Sequence, residues 1–129
     1  MNLHEKLTEV LNGTEFSFDN TFAADGAVSV DGGGSGVTFA NPTTDKELAI
    51  AFGFAAVKWV VMWATAACTI ETNAHPHSNT FSLLANKPLV WKSADGYFAN
   101  PFTVDVTKMY LSATAAGSFF CYVGLDATP

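Results

Sequence analysis

The chain has 129 residues, of which six are basic and twelve acidic, for a net charge of −6. Apolar residues make up 49% and charged residues only 14%, so a single domain can bury a substantial core but has few charges with which to wet a large surface. The basic residues are scattered lysines with no arginine, which argues against a phosphate-tracking face for nucleic acid or for an anionic membrane.

Residues 1–13 read as a short amphipathic helix and residues 14–129 as one β-sandwich domain. Asn2 suits an N-cap with Glu5 completing a capping box. Leu3, Leu7, Val10 and Leu11 fall on one face, and Asn12-Gly13 stops the helix. So short a helix needs a surface to dock on, either its own sandwich or a partner. The segment lacks the apolar stretch of a secretory leader, so Cys68 and Cys121 are expected to be free, buried thiols.

From Thr14 onward the hydrophobic period changes to two. Phe16, Phe18 and Phe22 mark a first strand. Ala27–Asp31 and Val37–Ala40 read as short strands joined by a glycine-rich hairpin tip, Gly32–Gly36. No lysine follows those glycines, and Val37-Thr38-Phe39 is strand-like, so a phosphate loop is not expected. In Glu47–Phe54, Leu48, Ile50, Phe52 and Phe54 alternate with smaller or polar residues. Val57–Thr65 follows, with Val57, Trp59, Val61 and Trp63 on one face and Lys58, Val60 and Met62 on the other, as in a central strand buried on both sides. Leu48–Ile70 is long enough to span a bilayer, but Lys58 and the period of two favour strands. Cys68–Asn73, Thr80–Ala85 and Leu89–Lys92 are shorter strands. Val104–Ala113 and Ser118–Asp126 complete the pattern as a hairpin closed by Thr114–Gly117. Short strands at this spacing indicate an all-β fold, an antiparallel β-sandwich or jelly roll.

Chemistry-bearing constellations are sparse. His75-Pro76-His77 could bring two imidazoles to a metal, with oxygens nearby at Glu71 and Asn79. A metal site needs three or four ligands with supporting groups, and a solvated turn bent by Pro76 is the simpler reading, so no metal or cofactor is expected. The only other histidine, His4, lies in the predicted helix, and there is no G-x-S-x-G elbow. Asp19, Asp25, Asp31, Asp45, Asp95 and Asp105 fall mostly at turns or strand ends, where turn chemistry explains them. No catalytic residue is assigned. Trp59 and Trp63 read as core. Trp91, Tyr97 and Phe98 are less constrained and, with Leu3, Leu7 and Val10, form the candidate interface; the aromatic group could also stack on sugars.

Several phrases occur in a telling order: Thr44-Asp45-Lys46, Ala56-Val57-Lys58, Thr69-Ile70-Glu71-Thr72-Asn73, Ala85-Asn86-Lys87-Pro88-Leu89-Val90-Trp91, Tyr97-Phe98-Ala99-Asn100-Pro101, and Asp105-Val106-Thr107 with Tyr110-Leu111. Across residues 14–127 they resemble a group of small virion structural proteins of tailed bacteriophages. The resemblance implies a β-rich particle component assembled in the host cytoplasm, a capsid decoration (cement) protein whose partner is a major capsid protein. The shortage of charge points separately to association with copies of itself, and the resemblance, through three-fold lattice positions, implies that this homo-oligomer is a trimer. It transfers no binding residues and does not separate head from tail or neck. A carbohydrate-binding or adhesion module is the alternative class, and a small enzyme ranks third.

Overall fold

The alternating segments fold as strands because β-branched and aromatic side chains fit a pleated surface buried on one or both faces. A computed structural model describes residues 26–30, 36–93 and 98–126. Its strands are β1 (Gly26–Ser29), β2 (Val37–Phe39), β3 (Thr43–Leu48), β4 (Val57–Ala64), β5 (Cys68–Thr72), β6 (Thr80–Leu83), β7 (Leu89–Lys92), β8 (Met109–Ala113) and β9 (Gly117–Leu125). They form two antiparallel sheets. One has the order β1-β9-β4-β7, with β2 also paired to β9, and the other β3-β8-β5-β6. This is the expected all-β sandwich. The N-terminal helix and the Phe16–Phe22 strand lie outside the described residues. Among the described residues no helix is long and apolar enough to cross a membrane, and Leu48–Ile70 is spread over β3, β4 and β5.

The core lies between the sheets. Val60, Met62 and Ala64 of β4 and Phe119, Cys121 and Val123 of β9 meet Leu48, Ile70, Met109 and Leu111 of the other sheet, all fully buried. The intervening residues of the same strands, Trp59, Val61, Trp63 and Tyr122, form a second buried cluster on the opposite face, with Val90 and Phe120 packed against it. The strand Val57–Thr65 is therefore central and buried on both sides, as expected. Its facing differs at its start: Val57 belongs to the inter-sheet core, not to the tryptophan face, and Lys58 is exposed instead of lying beside Val60 and Met62 in that core. A register shift against β9 between Val57 and Trp59 inserts one residue and turns the strand over at that point. Trp59 then lies across Gly124, where a Cβ would come within 2.1 Å of the indole nitrogen.

Four other expectations are corrected. The strands flanking Gly32–Gly36 do not form a hairpin with each other: β1 pairs with Ser29↔Tyr122 through Gly26↔Leu125, and β2 with Val37↔Phe119 through Phe39↔Gly117, end to end along one side of β9. Thr114–Gly117 does not close a hairpin either, because β8 pairs with β3 and β5 while β9 belongs to the other sheet. The alternation in Glu47–Phe54 is real in burial, but the ladder stops at Leu48. Beyond it only an isolated bridge from Phe52 to Val106 continues the pairing, and Phe54–Ala56 forms a 3-10 turn. Likewise Val104–Lys108 carries only the Val106 bridge before β8 begins. Among the described strands only β5 and β6 are both consecutive and paired.

Cys68 and Cys121 are free and buried in the core. Burial raises the Cys68 thiol from the ordinary 9.0 to about 11 and the more deeply set Cys121 thiol to about 12. The thiolate is the reactive form, so native protein at neutral pH should resist a thiol reagent such as Ellman's, and both thiols should react once it is unfolded. Both groups hold their protons more tightly folded than unfolded. Their contribution to stability is therefore complete below pH 9 and is lost as the pH climbs through about 11 and 12. Rapid labelling of either thiol in the native protein at neutral pH would contradict this burial.

Candidate functional site

Among the described residues, the β5–β6 connection gathers a dense set of polar groups. The buried Thr72 ends β5: its Oγ1 accepts the Asn79 N–H at 3.0 Å, and its carbonyl accepts the Ser78 N–H at 2.9 Å, closing the turn. Asn73 takes a left-handed conformation (φ 65), which asparagine tolerates better than most residues. Its Nδ2 donates to Ser78 Oγ and to the Asp105 carbonyl, each at 3.0 Å. Its Oδ1 accepts the Thr107 N–H at 2.8 Å and the Thr107 hydroxyl at 3.0 Å. The Asn73 carbonyl in turn accepts a hydrogen bond from His77 Nδ1 at 2.6 Å.

That bond sets the His77 ring. Its side chain is only 9% exposed, with the His75 ring 4.1 Å away on one side and the Tyr110 ring 5.6 Å away on another, centroid to centroid. His77 Nε2 stands 3.1 Å from Glu71 Oε2, within ion-pair distance. Yet this buried nitrogen makes no hydrogen bond. The two facts are compatible when the carboxylate lies off the ring N–H direction, since hydrogen bonds weaken steeply with angle.

Asp45 comes to the same place from β3. A register shift against β8 between Thr43 and Lys46 puts Asp45 in a bulge with φ 48. Ser112 Oγ holds the bulge, accepting the Asp45 N–H at 3.0 Å and donating to Asp45 Oδ1 at 3.4 Å. Bulges commonly re-aim a side chain in this way. The donor atoms of Asp45, Glu71 and His77 all lie within 4.8 Å of one another, at a small cavity of about 110 Å³ lined by Asp45, Ala74, His75, His77 and Tyr110. One imidazole and two carboxylates are a donor set for a divalent first-row ion.

The sequence singled out His75, His77, Glu71 and Asn79 here, and the structure joins only two of them. Asn79 turns away to Thr103, donating from Nδ2 at 3.2 Å and accepting the Thr103 N–H at 3.3 Å. His75 is exposed beside the cluster. Asp45 and Tyr110 were missed, because strand pairing and not local spacing brings them in.

Of the candidate interface residues, Leu3, Leu7, Val10 and Tyr97 lie outside the described residues. Trp91 and Phe98 are brought together at β7, an edge of the five-stranded sheet: Trp91 Nε1 donates to the Phe98 carbonyl at 2.9 Å. Trp91 is half-buried against the inter-sheet core, whereas Phe98 is 80% exposed. Trp59 and Trp63 are buried and offer no face for sugar stacking. Two larger depressions, of about 560 and 510 Å³, are lined mainly by small side chains such as Ala27, Ala49, Ala67 and Ser82. Set against known proteins, the chain matches no family model, no curated protein and no solved structure.

Proposed function

We propose that this chain is a virion structural protein of a tailed bacteriophage, a decoration (cement) protein that docks on the outer surface of an assembled head and acts without catalysis. The observation that carries the reading is Phe98. A large apolar side chain stands 80% exposed, its backbone carbonyl tied to the half-buried Trp91, on a chain with only 14% charged residues. Burying a phenyl group gains roughly 1.5–3 kcal/mol, so Phe98 is suited to anchor a contact with a major capsid protein. A net charge of −6 suits the exterior of a shell better than a DNA-facing interior. A protein that binds only the assembled lattice stabilises it by mass action, and homotrimers on three-fold positions would multiply weak contacts.

The test mixes purified protein with heads that lack it. Saturable binding and greater heat resistance of the heads are expected. Phe98→Asp should weaken binding by about tenfold or more while leaving the unfolding midpoint of the free protein near the parent value. Binding confined to tails or necks would refute the head placement. Glycan binding that disappears with Phe98→Asp, with no binding to particles, would replace this reading with a carbohydrate-binding module.

A further inference from the structure

We propose that Asp45, Glu71 and His77 bind one divalent transition-metal ion of the zinc class, which ties the bulge of β3 to the β5–β6 turn across the outer face of the four-stranded sheet. A backbone carbonyl only accepts, so the 2.6 Å contact with Asn73 O fixes the proton of a neutral His77 ring on Nδ1. Nε2 is then a buried lone pair, and it faces the Glu71 carboxylate, another lone-pair donor, at 3.1 Å. Two such atoms repel at that distance unless a positive charge stands with them. A proton on Nε2 would supply that charge as an ion pair with Glu71 alone, whereas a metal ion bound by both atoms also accounts for the Asp45 carboxylate gathered beside them. An imidazole whose Nδ1–H is anchored on a backbone carbonyl is also oriented as metal-ligating histidines are.

Asp45 supplies a second carboxylate, and two carboxylates neutralise a divalent ion. Donors that share an ion at about 2.1 Å can lie at most about 4.2 Å apart, so the 4.8 Å spread of these atoms must close slightly. A rotation of Asp45 can close it, because this side chain is exposed and its hydrogen bond from Ser112 is long, at 3.4 Å. The imidazole disfavours calcium and magnesium, which prefer oxygen alone. The absence of a thiolate from the cluster disfavours copper(I). The cavity beside His75 leaves room for water in a remaining coordination position. This site is independent of the particle role proposed above.

The experiment strips the full chain with a chelator, dialyses it and titrates it with zinc chloride by calorimetry, following thermal unfolding in parallel. One ion per chain is expected, with a higher unfolding midpoint on saturation. Glu71→Gln and Asp45→Asn should each weaken binding by about tenfold or more and abolish the zinc-induced rise, while keeping the parent midpoint in chelator. His75→Ala should bind as the parent does. His77→Ala empties a buried turn, so the two near-isosteric variants decide the matter. No binding at millimolar zinc overturns the proposal. So does binding that survives both carboxylate changes, binding lost with His75→Ala alone, or equal affinity for calcium.

Discussion

Trp63→Ala should lower the unfolding free energy by about 3–5 kcal/mol, a large part of the stability of a domain this size. Trp63 is 4% exposed and stacks on Phe120 with centroids 4.7 Å apart and planes 12° from parallel. The two residues are direct partners across β4 and β9, and Tyr122 lies 5.8 Å away on the same face. Truncation thus removes a large buried area together with aromatic pairing that adds about 0.5–1.5 kcal/mol. Urea unfolding followed by circular dichroism measures the loss. Lys58→Ala on the same strand is the control. Its ion pair with Asp126 is 3.6 Å long and solvent-exposed, so its removal should cost no more than about 1 kcal/mol. If Trp63→Ala unfolds with the parent midpoint, the second cluster does not hold this sheet together.

Asn73→Ala should cost about 2–4 kcal/mol. The substitution removes four side-chain hydrogen bonds, three that join the β5–β6 turn to residues 105–107 and one to Ser78 within the turn, each worth about 1 kcal/mol net. Water recovers part of that loss, because the residue is only partly buried. Alanine also tolerates the left-handed region less well than asparagine, which adds up to about 1 kcal/mol. Asn73→Gly loses the same bonds without that conformational penalty, so it should lie about 1 kcal/mol above Asn73→Ala. Equal midpoints for the two variants would show that the backbone conformation contributes nothing, and two parent-like midpoints would show that the turn does not depend on Asn73.

The sandwich was legible because burial imposes a period of two wherever one face of a strand meets a core. Leu89–Lys92 was read with its observed bounds, and β4, β5 and β9 to within a residue or so at either end. Pairing was less legible. Ala113 and Ser118 flank a loop of hairpin length, yet their strands enter different sheets, and alternation is the same whichever neighbour a strand takes. The facing of Val57 was lost to a one-residue register shift, which leaves no mark in composition. The cluster at His77 was half legible: the His-Pro-His turn stands out locally, but Asp45 reaches it only through a bulge and Tyr110 only as the β8 partner of Glu71. Residues that meet through tertiary pairing carry no fixed spacing.

The place of β9 in the five-stranded sheet has a consequence for how the protein is made. β9 pairs with β1, β2 and β4, and it is the last of the described strands in chain order. A ribosome therefore delivers three of its neighbours, with apolar faces and open hydrogen-bonding edges, well before the strand that joins them. Joining β1 to β9 closes a loop over nearly all the described chain, and contacts this distant in sequence place all-β domains in the range of milliseconds to seconds for folding. During synthesis the unjoined edges are free to pair with neighbouring chains. The yield of native protein then depends on how soon β9 joins its neighbours relative to such encounters, so slower initiation or a lower temperature should raise it.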